Sequence, residues 1–135
     1  MSGVEAKKVL LVEAPIYVDV LAERVNELIK SNGLIVCQMD SLPRGIVGEI
    51  NQRRAVAAIT HVFLTGTLWA ELVVAAHQMG KIVIASISTE TIEGQKMLEE
   101  IKSSGMTTVV KSRKTNYPDV IATTLMETLK QRGII

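Results

Sequence analysis

The feature that most constrains this chain is a set of short, uninterrupted apolar runs, each followed by a segment with helical periodicity. Val9-Leu10-Leu11-Val12 is the first run, and Leu34-Ile35-Val36-Cys37 is the second. Val62-Phe63-Leu64, Ile82-Val83-Ile84-Ala85 and Thr107-Thr108-Val109-Val110 follow. A strand that is apolar on both of its faces belongs inside a parallel sheet covered on both sides. Between the runs, apolar residues recur at spacings of three and four. Val18, Leu21, Val25, Leu28 and Ile29 mark a first helix, closed by Ser31-Asn32-Gly33. A second helix is expected from about Ile46 to Ala58, with Arg53 and Arg54 facing outward. Leu68, Leu72, Val73 and Ala76 mark a third, stopped at Gly80. A fourth carries Ile92, Met97, Leu98 and Ile101 inward, with Ser88-Thr89-Glu90 as its cap and Gly94 as a flaw worth about 1 kcal/mol in its interior. Pro118 suits the first turn of a fifth, whose inner face is Val120, Ile121, Leu125 and Leu129.

Strict strand–helix alternation with short connections implies right-handed crossovers. The expectation is therefore an α/β fold: a doubly wound five-stranded parallel sheet, (βα)5, a flavodoxin-like three-layer sandwich with strand order 2-1-3-4-5. The 135 residues make one domain spanning 1–135, with no linker or low-complexity stretch.

Composition narrows the function. The net charge is +1, so a dedicated nucleic-acid surface is not expected. Aromatic residues are 3%, too few for base-stacking platforms or a flavin sandwich. Cys37 is the only cysteine, which excludes an intrachain disulfide and a metal site built from several cysteines. The start of the chain is polar and reads as no signal peptide, and no apolar run approaches the ~20 residues of a membrane span. A cytoplasmic protein without a membrane partner is expected, and no cofactor is called for.

In sheets of this type, ligands bind beyond the carboxyl ends of the strands. The candidate site residues are accordingly Glu13, Thr65, Gly66, Thr67, Ser86, Lys111 and Arg113. Thr65-Gly66-Thr67 is a small, hydroxyl-bearing turn before a helix, a place where free backbone N–H groups favour an anion. Lys111, Arg113 and Lys114 form a basic cluster after the last strand. Glu13 follows the central strand and could serve as a base, a cation ligand or a hydrogen-bond acceptor. His61 precedes the expected third strand, which would put it at the far end of the sheet. His77 lies within the third helix, and Cys37 reads as a core residue. Trp69 opens the third helix beside the candidate site. No Ser-His-Asp arrangement follows from order or spacing, and Glu13-Ala14-Pro15-Ile16-Tyr17 has no glycine for a dinucleotide fingerprint.

The layout resembles a response-regulator receiver domain. Ile82-Val83-Ile84-Ala85-Ser86 is similar to that family's fourth strand, which ends in Ser or Thr. Ser104-Gly105-Met106-Thr107-Thr108-Val109-Val110-Lys111 is similar to its fifth strand, which ends in an active-site Lys. Glu13 falls where the family carries an acidic metal-binding pair, here followed by Ala14. The resemblance thus implies roles for Glu13, Ser86 and Lys111. It departs at the phosphoacceptor aspartate, since Thr65 stands at the expected end of the third strand, and Ser112 replaces the usual proline after the lysine.

Two functions fit these observations. One is a non-catalytic binding or regulatory module with a receiver-like fold, acting through protein contacts. The other is a small-molecule enzyme or ligand-binding protein for a phosphorylated or carboxylated compound, held at the carboxyl edge of the sheet. A homo-oligomer, most simply a dimer, is expected in addition, because the mean hydropathy is +0.28 and the third helix is apolar around most of its circumference.

Overall fold

The computed structural model describes residues 6–13, 15–61, 68–111 and 116–135. Five parallel strands are hydrogen-bonded in the order β2-β1-β3-β4-β5. They are β1 (Lys7–Val12), β2 (Leu34–Met39), β3 (Ala55–His61), β4 (Val83–Ser88) and β5 (Thr108–Lys111). The helices between and after them are α1 (Pro15–Ile29), α2 (Gly45–Arg53), α3 (Leu68–Gln78), α4 (Ile92–Ser103) and α5 (Tyr117–Gln131).

The period of two along each strand divides the core into two slabs. Val9 and Leu11 of β1, Ala57 and Ile59 of β3, Ile84 of β4 and Val109 of β5 face one side. There they pack against Leu21, Val25 and Ile29 of α1 and Ile121, Leu125 and Leu129 of α5. Leu10, Ala58, Val83, Ala85 and Ile87 face the other side. They meet Ile46 and Ile50 of α2, Val73 and Ala76 of α3, and Met97, Leu98 and Ile101 of α4. The sheet is therefore apolar on both faces, which is why its strands read as continuous runs in the sequence.

The third strand differs from the expectation. The second helix stops at Arg53, and Ala55–Ala58, expected to finish it, instead opens β3 (Ala55–His61). The chain turns at Arg54, whose φ of 55° is left-handed and cannot continue a helix. Ala57 and Ala58 hid the strand, because alanine carries no strand signal and here it lets the central sheet sit tightly between two layers. The run Val62-Phe63-Leu64 lies outside the described residues. The cap of α4 also differs. Ser88 still belongs to β4, and Thr91 is the N-cap, its hydroxyl accepting from the Gly94 N–H at 3.0 Å.

Cys37 is half-buried on the outermost strand β2, and an Arg53 N–H points at its Sγ at 3.3 Å. On the same helix Glu49 is fully buried, with Arg44 at 3.3 Å and Arg53 at 3.4 Å. Two guanidinium groups around one carboxylate offset the desolvation that would otherwise disfavour it. Among the described residues, no helix is long and apolar enough to cross a membrane.

Candidate functional site

Strand parity builds the site. Continuing the row of Val9 and Leu11 by two residues reaches Glu13, whose N–H still donates to Met39 O at 3.2 Å. Continuing Ala57 and Ile59 reaches His61; continuing Ile84 reaches Ser86; continuing Val109 reaches Lys111. All four side chains therefore leave the carboxyl ends of their strands on the α1/α5 face. Tyr117, the first residue of α5, comes down onto them.

Glu13 is at the centre. The residue is 1% exposed, yet it carries an ionisable carboxyl group. Lys111 Nζ lies 3.6 Å from Glu13 Oε1, and His61 Nδ1 lies 3.6 Å from the same oxygen. The Tyr117 hydroxyl reaches Glu13 Oε2 at 3.5 Å and makes a short hydrogen bond with Ser86 Oγ. Lys111 Nζ also stands 5.5 Å from the centre of the Tyr117 ring, within the range of a cation–π contact. Among the described residues the arrangement is a buried acid paired with a lysine, with an imidazole and a phenol beside it.

Burial sets the protonation states. Desolvation pushes the Tyr117 phenol far above its ordinary range, so it remains a neutral donor. His61 is held below its ordinary value, first by burial and then by the neighbouring Lys111 charge, while Glu13 pulls the other way. A histidine with a depressed native value contributes stability that is fully present above the unfolded value of about 6.5 and is lost as the pH falls below it. Unfolding free energy should therefore drop as the pH is lowered from 7 through 6, and H61Q should flatten that slope. Urea midpoints of both proteins across this range check it; identical slopes would show that His61 does not titrate out of step with the unfolded chain.

Of the residues expected from the sequence, Glu13, Ser86 and Lys111 are brought together. Thr65, Gly66, Thr67 and Arg113 lie outside the described residues, as do Lys114 and the side chain of Trp69. His61 sits at the carboxyl end of β3, inside the cluster and not at the far end of the sheet. That correction follows from the earlier start of β3. Tyr117 is not among the site residues expected from the sequence. Its spacing from Lys111 is what could have revealed it, since a short β5–α5 connection must bring the first residue of α5 over the strand ends.

Among the described residues the donor set does not suit a magnesium ion, which takes oxygen ligands in near-octahedral array. Glu13 is engaged by an ammonium group, and its neighbour is Ala14. Among the described residues, no group of three or more His, Cys, Asp or Glu side chains could hold a metal.

No protein-family model matches the sequence, and no curated protein matches it. Solved structures do match the fold. One is the signal receiver domain assigned to a Luxo repressor protein of Vibrio parahaemolyticus, with a TM-score of 0.68 and 15% identity, covering 95% of this chain and 93% of that one. The signal receiver domain of a modulated diguanylate cyclase from Desulfovibrio desulfuricans G20 gives 0.65 and 16%, covering 96% and 98%. The chemotaxis protein CheY4 of Vibrio cholerae gives 0.55 and 22%, covering 93% and 97%. At such identities the likeness is one of architecture. The chain has the doubly wound fold of the response-regulator receiver domains, and it places its own set of side chains at the ends of their strands.

Proposed function

We propose that the chain is a regulatory binding module that works through protein contacts and performs no phosphoryl transfer at its strand ends. The observation that carries this reading is how the described residues occupy the site. The buried Glu13 is held by Lys111, with His61 and Tyr117 against it, all from the same chain. An acceptor aspartate has no place there: the chain has no aspartate between Asp40 and Asp119, and the described part of β3 ends in His61. Solved structures of the same architecture include signal receiver domains, which supports a regulatory role for this one. Burial of Glu13 also weighs against the alternative of a small-molecule enzyme, since a general base must reach its substrate.

Contacts with a second copy belong to the same reading. Leu72 is 45% exposed and Met79 65% exposed on α3, so this helix keeps apolar surface that the sheet does not cover. Incubation with acetyl phosphate and Mg²⁺ tests the central claim. Intact-mass spectrometry at neutral pH should show the unmodified chain, and a mass increase of one phosphoryl group would overturn the proposal. Light scattering in the micromolar range should give more than the 14.7 kDa of one chain.

A further inference from the structure

The opposite edge of the sheet carries a second feature, independent of the Glu13 cluster. At the amino ends of β1 and β3 lies a cavity of about 470 Å³. Four cations line it: Lys7 and Lys8 from the start of β1, and Arg53 and Arg54 from the end of α2 and the turn that follows. Gln52 adds an amide, and among the described residues no acidic side chain lines the cavity. This is a steep local imbalance in a chain whose net charge is only +1.

Two backbone irregularities shape this wall. Arg54 has a φ of 55°, the left-handed region that glycine or asparagine enters at less cost than arginine. One residue later the β1–β3 ladder slips: Lys8 pairs with Ala55 but Val9 pairs with Ala57, a bulge that leaves Val56 unmatched. Bulges re-aim the side chains beside them. The arginines differ in their freedom. Arg53 is braced by Glu49 at 3.4 Å and by the Cys37 sulfur at 3.3 Å. Lys7 donates to the carbonyl of Ile134 at 2.6 Å. Among the described residues neither Lys8 nor Arg54 has a carboxylate partner. Four like charges around one concavity repel one another, and a multivalent anion between them relieves that repulsion. Guanidinium forks bind phosphate oxygens in pairs, and lysines add point charge.

We propose that this cavity binds a soluble compound bearing two or more phosphate groups, with Lys8 and Arg54 as its principal ligands. The volume falls in the range of small-molecule sites, and the concave shape favours a compact polyphosphate over a flat lipid surface. Inorganic triphosphate is the probe. Calorimetric titration of the full chain in buffer of physiological salt should give a sub-millimolar Kd. R54G removes the charge and suits the left-handed backbone, so it should bind at least roughly fivefold more weakly while its melting temperature stays level or rises. K8Q should weaken binding similarly, and K96Q, on the exposed face of α4, should leave it unchanged. Absence of binding at millimolar triphosphate would overturn the proposal, as would R54G and K8Q that bind like the parent. Binding to phosphoinositide vesicles without binding to free triphosphate would overturn it too, by assigning the patch to a membrane surface. None of these outcomes depends on whether the Glu13 site accepts a phosphoryl group.

Discussion

Replacing Gly94 by alanine should destabilise the fold by about 2 kcal/mol, although helix propensity alone favours the change by about 1 kcal/mol. The reason is a close approach that the helix pattern does not reveal. Gly94 is the third residue of α4, and a Cβ built there would stand 2.0 Å from the carbonyl oxygen of Ser88 and 3.1 Å from its carbon. Ser88 is the last residue of β4. The turn from β4 into α4 is so tight that the helix packs its first turn directly on the strand end, with Thr91 capping the Gly94 N–H. Backbone, unlike a flexible side chain, cannot swing away, so the cost belongs near the upper end of the roughly 1–3 kcal/mol typical of overpacking. A chain of this size should lose roughly 8 °C in Tm for a net change of about 2 kcal/mol. Urea denaturation of G94A and its parent gives the value directly. A variant as stable as the parent would show that the β4–α4 turn relaxes at little expense.

The architecture was legible because most of its strands and helices announce themselves through physics that acts locally. Val9–Val12 and Ile82–Ala85 are apolar on both faces because both faces of a parallel sheet are covered. The helices α1 and α5 follow a clear inner stripe, since each buries only one side. What the sequence hid has a common cause: meaning that lies in approach between distant backbones. Gly94 reads as a propensity flaw until Ser88 is placed against it. Ala57 and Ala58 read as helix until they are placed between two helical layers. That one misplaced strand also moved His61 from one end of the sheet to the other, and with it half of the surroundings of Glu13. Glu13 and Lys111 were found because strand ends are where such sheets present side chains. Their pairing across β3 and β4 at 3.6 Å required the fold.

That pairing yields the second large effect. K111M should destabilise the protein by about 2–3 kcal/mol at pH 7, and E13Q by about 1 kcal/mol or less. The asymmetry follows from exposure. Glu13 is almost wholly buried, so removing its ammonium partner leaves a carboxylate in a low-dielectric site. Lys111 is 29% exposed, so when Glu13 loses its charge the ammonium group can turn to water. Full loss of a partner in a dry interior costs about 3–5 kcal/mol, and the partial exposure of this pair places it below that range. The double variant E13Q/K111M should sit close to E13Q alone, giving a coupling of about 2–3 kcal/mol in the double-mutant cycle. His61 supplies a further sign test. The Lys111 charge is one of the two influences that depress its protonation, and Glu13 favours it. In K111M the depressing charge is gone, so the imidazole should titrate at higher pH and, once charged, pair with Glu13 in place of the lysine. The K111M deficit should therefore shrink as the pH falls from 7 to 6, while the parent loses stability over the same interval. NMR titration of the His61 ring and urea midpoints at both pH values measure the two effects. A K111M protein that costs no more than E13Q, or that weakens in parallel with the parent on acidification, would show that Glu13 does not rely on Lys111 for its charge.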